Sequence, residues 1–193
     1  MNDPAAAIRS PELMNATDTG LLVVDAQEKL LSVVPRADRI VWNIRRLLDT
    51  ARLLGVPRAV TEQYPEKLGP TPPELLERLD APVAKLTFSG AACGVNLGEW
   101  KADGRYRVLV CGIETHVCIA QTAFDLTADG WLVYVPVDAV GTRHEIDHET
   151  ALRRMEAAGV VLTTTEAAMF EWCRVAGTAE FKQLSAIAKE AGP

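Results

Sequence analysis

Apolar residues recur in this chain with two different periods. Short unbroken runs come first: L-L-V-V-D-A-Q (21–27), P-R-A-V-T-E-Q (57–63), V-A-K-L-T-F (83–88), Y-R-V-L-V-C-G-I (106–113), W-L-V-Y-V-P-V (131–137) and V-V-L-T (160–163). Runs this uniform predict strands buried on both faces rather than half-solvated ones. Between them the period changes to that of a helix. Pro35 opens a segment in which Ile40, Val41, Ile44, Leu47, Leu48 and Leu54 share a face, and Gly55 stops it. Shorter helices are predicted over Pro73–Leu79, Val95–Lys101 and the residues following Cys118. Another runs over Ile146–Ala158 with Gly159 after it, and two more over 164–190, divided near Gly177. Tyr64–Pro73 holds four prolines and a glycine and reads as a stiffened loop. S-G-A-A-C-G (89–94) reads as a small-residue turn, and 1–19 as a polar lead-in with a short helix around Pro11–Met14.

Apolar strands alternating with helices specify a parallel sheet covered on both faces, a three-layer α/β/α arrangement. Six strands in 193 residues suit an open, doubly wound sheet in one domain, 1–193, better than an eight-fold barrel. In such sheets ligands bind beyond the carboxyl ends of the strands, so polar residues at those ends are the ones to question.

Composition narrows the class. Hydrophobic residues make up 48% and charged residues 24%, an ordinary globular balance. The formal net charge of −6 argues against a nucleic-acid or anionic-membrane partner, because both need a basic face. No apolar run approaches the ~20 residues of a membrane span. The start M-N-D-P-A-A-A-I-R-S has neither a basic n-region nor a long apolar h-region. Cysteines 93, 111, 118 and 173 form no C-x-x-C pair, and reduced thiols in a cytoplasmic protein are expected.

Three strand-end residues carry candidate chemistry: Asp25 after the first run, Lys85 interrupting the third, and Cys118 near the start of the helix after the fourth. Isolated charges in apolar strands cost several kcal/mol unless partnered. Asp25 and Lys85 could satisfy that by pairing as a structural salt bridge. Alternatively all three act together. Asp25 takes the thiol proton, Lys85 holds the thiolate by charge, and Cys118 attacks a carbonyl carbon, with backbone N–H groups of the 113–118 turn receiving the oxyanion. A thiol at a helix start meets unpaired N–H groups and the positive end of the dipole, which favour thiolate. Taken alone, Cys118 reads equally as a small core residue.

L-L-V-V-D-A-Q-E-K, K-L-T-F-S and C-G-I-E-T-H-V-C-I, in that order, resemble the three motifs of the isochorismatase-like cysteine hydrolases, a superfamily that includes nicotinamidases and N-carbamoylsarcosine amidohydrolases. T-E-Q-Y-P-E-K-L-G-P is similar to the isochorismatase-domain-containing subgroup, and the resemblance covers roughly residues 18–175. It implies an Asp25–Lys85–Cys118 triad, sheet order 3-2-1-4-5-6, a homo-oligomer and a small-molecule substrate. It also implies a cis peptide Ile113–Glu114 that turns the N–H of Glu114 toward the oxyanion beside that of Cys118. That strand order sets Lys85 two strands from Asp25, ~9–10 Å across the sheet, a gap its side chain must close. Nicotinamidases carry an Asp/His-rich metal site after strand two. Here T-E-Q-Y-P has no histidine, so neither a metal nor another cofactor is expected and nicotinamide is a poor first substrate. Some isochorismate-cleaving members lack the cysteine. Its presence here favours an amide, carbamoyl or ureide C–N bond over a vinyl ether.

Other features compete. H-E-I-D-H (144–148), with Glu166 as a third ligand, matches a zinc-protease pattern, but acids in a solvated first helical turn explain the same residues. His116, two residues from Cys118, cannot share its helix face and is expected at the rim. Gln27, Tyr64 and Phe88 flank the presumed site and are candidate substrate contacts, or simply packing. Cys111 is expected in the strand core, and Cys93 as a core or exposed thiol near the pocket. D-A-Q lacks the second acid of a haloacid-dehalogenase-like phosphatase, and Phe124 stands where a cysteine phosphatase needs arginine. A non-catalytic binding protein of the same fold is the alternative, because an unpaired Glu114 carboxylate beside the oxyanion hole would oppose an anionic intermediate.

Overall fold

The computed structural model describes residues 9–193. In chain order the elements are β1 (Thr19–Val24), α1 (Glu28–Leu31), α2 (Ala37–Leu54), β2 (Arg58–Gln63), α3 (Pro65–Leu68), α4 (Pro73–Leu76), β3 (Val83–Lys85), α5 (Leu97–Ala102) and β4 (Arg107–Ile113). A π-helical turn, Thr115–Ile119, then leads into α6 (Ala120–Ala128), followed by β5 (Leu132–Pro136), β6 (Val140–Gly141), α7 (Glu145–Ala157), β7 (Val161–Thr163), α8 (Thr165–Cys173) and α9 (Ala179–Ala188). All strand pairs are parallel, in the order β3-β2-β1-β4-β5-β7. The expected order 3-2-1-4-5-6 is therefore observed for six strands, with one addition. The two-residue β6 pairs Gly112 and Ile113 at the upper end of β4, where β5 has already diverged.

The central strand shows why its run is unbroken. Leu21 and Val23 face the layer of α2, α8 and α9, packing with Ile44, Leu48, Met169 and Trp172. Leu22 and Val24 face the opposite layer and pack with Trp100, Ile119, Ala123 and Met155. Successive side chains of a strand alternate faces, so covering both faces demands apolar residues at every position. Trp100 lies against the backbone of Gly20, where a Cβ would meet its ring at 2.2 Å. The helix from Pro35 begins at Ala37 and ends at Leu54, with Gly55 supplying the left-handed residue (φ 71°) that closes it.

Several local expectations are corrected. The proline-rich segment after β2 is not all loop, because Pro65 occupies the first turn of the short α3, where its missing N–H costs nothing. A further short helix, α1, follows Gln27. The third strand ends at Lys85 instead of continuing to Phe88. Pro11–Met14 forms a turn rather than a helix. The lead-in is tied down from Arg9 onward: Met14 is fully buried, and Arg9 donates to the carbonyls of Met14 and Glu171 at 2.7 Å each. Residues 1–8 of that lead-in lie outside the described residues. Among the described residues no helix is long and apolar enough to cross a membrane.

Gly112 is the tightest backbone position under the candidate site. Its φ is 123°, and a Cβ there would fall 1.9 Å from the carbonyl oxygen of Val24. Gly112→Ala is expected to destabilise the fold by about 3 kcal/mol or more, through clash and left-handed strain together. Gly98→Ala in α5, with nothing within 4 Å of the added carbon, should be neutral or slightly stabilising. Urea unfolding of both variants checks the pair.

Candidate active site

Asp25 follows the last residue of β1 and leaves the strand through a left-handed backbone conformation (φ 53°) that aspartate tolerates better than most residues. Its N–H still extends the β1–β2 ladder by donating to Thr61 O at 3.1 Å. The carboxylate is fully buried. Lys85 ends β3 in register with Gln63 of β2, so its backbone stands two strands away. The side chain crosses β2 and delivers its ammonium 2.6 Å from Asp25 Oδ2.

Burying this ion pair requires every donor and acceptor to be used. Lys85 Nζ also faces Gln63 Oε1 at 2.8 Å, Thr87 O at 3.0 Å and Phe88 O at 2.9 Å, more acceptors than it has hydrogens. Asp25 Oδ1 accepts from Thr61 Oγ1 at 2.8 Å. The short β3 and the turn after it therefore wrap two carbonyls around the ammonium, which is why the strand stops at Lys85.

Cys118 lies in the π-helical turn between β4 and α6 and is 5% exposed. That turn is anchored on Glu114, whose carbonyl accepts from Val117 N at 3.1 Å and Ile119 N at 3.2 Å. The peptide Ile113–Glu114 is cis. Burial pushes the Cys118 thiol up, and the charge and hydrogen bond of Asp25 push it further. Lys85 and a hydrogen bond from the Glu114 backbone pull it down, and the thiol ends at about 12. The helix-start position favours thiolate, and here that pull is the weaker one. Desolvation and a neighbouring carboxylate outweigh the unpaired N–H groups. That balance favours a protonated sulfur, with Asp25 the carboxylate acting on it.

Glu114 is not an unpaired charge. Its Oε1 accepts from Thr142 Oγ1 at 3.0 Å, Arg143 N at 3.3 Å and Arg143 Nε at 2.9 Å, while Oε2 lies 3.3 Å from Arg143 Nη2. Burial raises this carboxyl, but Arg143, then Thr142, outweigh it and hold it below the usual carboxylate range. Thr142 Oγ1 also meets His116 Nδ1 at 2.9 Å, so His116 joins the network from the half-buried rim.

The remaining candidates separate. Gln27 is buried with its amide engaged: Nε2 donates to Gln63 O at 3.0 Å and Gly69 O at 2.6 Å, and Oε1 accepts from Gln63 N at 2.8 Å. It braces β2 and the following loop beneath the site. Tyr64, at φ 38°, is exposed on a shallow depression with Pro65, Ala84, Lys85 and Leu86. Phe88 presents its carbonyl to Lys85 while its ring is exposed. Cys93 is half-buried with its sulfur 3.0 Å from Gly90 O, close enough for Lys85 and Asp25 to act on it, and burial raises its pKa. Cys111 is fully buried in β4. The H-E-I-D-H histidines do not converge. His144 is exposed at the cap of α7, His148 meets Thr115 Oγ1 at 3.0 Å, and Glu166 lies on α8 beside Arg46. Among the described residues no group of three or more His, Cys, Asp or Glu is placed to hold a metal ion.

Thr61, Gln63, Thr142 and Arg143 were not anticipated. Thr61 and Gln63 stand near the carboxyl end of β2, the position the general rule for parallel sheets marks for scrutiny. Arg143 had no such signal, because β6 was not recognisable in the sequence.

The isochorismatase domain family model matches residues 19–167. Isochorismatase domain-containing protein 2A of Mus musculus is 42% identical over 176 residues, covering 90% of this chain and 84% of that protein. Isochorismatase domain-containing protein 2 of Homo sapiens is 39% identical over the same length and shares. A solved Caenorhabditis elegans protein described as MAR1 ribonuclease superposes with TM-score 0.85 at 38% identity, covering 94% of each chain. The YcaC gene product of Escherichia coli, described as an octameric hydrolase of unknown specificity, gives 0.82 at 29% identity over 93% of this chain and 92% of that one. YcaC from Pseudomonas aeruginosa, solved with hexane-2,5-diol and covalent acrylamide, gives 0.81 at 28% identity over 94% and 96%.

Asp25 and Lys85 act on the thiol with opposite signs. Asp25→Asn is expected to move the alkylation of Cys118 by iodoacetamide to lower pH, and Lys85→Met to higher pH. Peptide mass spectrometry distinguishes Cys118 from Cys93. Profiles that shift in neither variant would rule out charge coupling between the sulfur and this pair.

Proposed function

The chain belongs to the isochorismatase domain family, and from that premise we propose that it is a cysteine-dependent hydrolase of small amide, carbamoyl or ureide C–N bonds. One observation supports the reading most: Asp25 and Lys85 form a buried ion pair at 2.6 Å, and both charges act on the thiol of Cys118. A structural salt bridge explains the pair itself but not its coupling to the sulfur.

The chemistry follows from the protonation state. With a thiol near 12, sulfur is almost wholly protonated at neutral pH, so attack and proton transfer must be coupled. Asp25 accepts the thiol proton as the C–S bond forms, and Lys85 holds the ionised neighbours by charge. The carbonyl oxygen, becoming an oxyanion, is received by backbone N–H groups of Glu114 and Cys118. Asp25 then returns the proton to the departing nitrogen, leaving a thioester. Water, deprotonated by the same carboxylate, attacks that thioester to release the acid and restore the thiol.

The case for a non-catalytic binder weakens, since its motive was a lone Glu114 charge and Arg143 pairs with that carboxylate at 2.9 Å. The ribonuclease description belongs to the C. elegans neighbour; a net charge of −6 gives no support for RNA as substrate here. The octamer described for the E. coli neighbour supports a homo-oligomer, and four free cysteines suit a reducing, cytoplasmic setting.

A screen of small amides, carbamates and ureides should find turnover that Cys118→Ala lowers by about a thousandfold or more with fold and assembly unchanged. A labelled RNA incubated in parallel should stay intact. Equal turnover in Cys118→Ala would refute the cysteine mechanism, and Cys118-dependent RNA cleavage would replace the substrate class.

A further inference from the structure

The proposed oxyanion peptide carries an acidic side chain, which is an awkward residue for such a place. The Glu114 backbone acts on the Cys118 sulfur and lowers its pKa, while the buried Glu114 carboxylate lies one side chain away. The opposing charge comes from a separate element. Arg143, in the β6–α7 connection, reaches it through Nε at 2.9 Å, Nη2 at 3.3 Å and its own N–H at 3.3 Å. Thr142 completes the set by donating to Oε1 at 3.0 Å. If that hydroxyl donates to Glu114, it must accept from His116, which places a proton on His116 Nδ1.

We infer that Arg143 is a positioning residue for hydrolysis, acting through Glu114. It cancels the Glu114 charge and holds the carboxylate turned away, so that the peptide N–H beside Cys118 faces the oxyanion without a competing negative charge. The inference rests on the hydrolase reading above and extends it to a residue that never touches substrate. The short β6 gains a purpose from it: pairing at Gly112 and Ile113 sets the following Thr142-Arg143 step directly over Glu114. On its far side Arg143 opens onto a cavity of about 720 Å³ shared with Arg36, Arg39, Asp138, Glu145 and His148. Arg143 is thus half-exposed, and its loss leaves Glu114 buried with fewer partners.

The charged and titratable groups facing this network are His116 on the π-helical turn, Glu145, Asp147 and His148 on α7, and Arg36, Arg39 and Asp138 around the cavity. His116 approaches Asp147 at 3.9 Å. With Arg143 replaced, burial dominates the Glu114 carboxyl and its titration moves upward. Above that pH the free carboxylate opposes the oxyanion; below it the neutral acid does not.

Three variants test this: Arg143→Gln, Glu114→Gln, and the two combined. Near neutral pH Arg143→Gln should lose roughly 10- to 100-fold in kcat with KM little changed, and regain activity as pH falls. The double variant should recover to within a few-fold of wild type, because no charge is left to neutralise. A loss that is equal at every pH and persists in the double variant would mean a structural role only, and an unchanged kcat would mean no role. A second readout needs no turnover. The alkylation profile of Cys118 with iodoacetamide should shift upward in Arg143→Gln, by about half a pH unit or more, and return in the double variant. A profile that stays put would overturn the electrostatic argument even if no substrate is found. A shift without any Cys118-dependent hydrolysis would uphold the coupling while rejecting the hydrolase reading.

Discussion

Everything at this site depends on keeping an ion pair alive in a dry interior. Asp25 and Lys85 are both buried and stand on strands separated by β2. Such a pair survives only when further hydrogen bonds make up the lost hydration of both charges. That requirement accounts for much of the local architecture: the early end of β3, the two carbonyls turned inward from Thr87 and Phe88, and the amide and hydroxyl that Gln63 and Thr61 supply from β2. Gln27, beneath them, holds the end of β2 at its working position. Framework and chemistry are the same set of bonds seen from two sides.

The pair also defines how the sulfur can work. A helix-start cysteine in an electropositive setting would rest as a thiolate, ready to react with any electrophile. Here desolvation and the Asp25 carboxylate keep the proton in place. In the proposed mechanism the nucleophile forms only as its proton moves to Asp25, which would tie reactivity to a carbonyl already positioned over the turn.

Glu114 shows the same logic at one remove. A carboxylate in this position would weaken an oxyanion site if left alone, yet Thr142 and Arg143 satisfy it from the connection that follows a strand of only two residues. On the proposed reading the β6–α7 connection belongs to the site together with Asp25, Lys85 and Cys118. The charge that answers Glu114 comes from Arg143, 25 residues along the chain from Cys118.

Much of this was readable in the residues themselves. Unbroken apolar runs reported a parallel sheet because a strand covered on both faces cannot afford polar positions, and the glycine at 55 and proline at 35 marked the long helix. Asp25 and Lys85 were conspicuous for the same reason, as charges where the pattern forbids them, and the three motifs together pointed to the family. What the residues could not reveal was how each charge is answered. Whether Lys85 spans two strands, whether Cys118 rests as thiol or thiolate, and whether Glu114 is opposed or neutralised all depend on distances of a few ångströms between segments far apart in sequence. A two-residue strand leaves no hydrophobic pattern, so Arg143 was invisible until the fold brought it over Glu114. Periodicity records which faces are buried. Only the tertiary structure decides which buried charges meet, because electrostatic energy depends on separation and desolvation that no local pattern encodes.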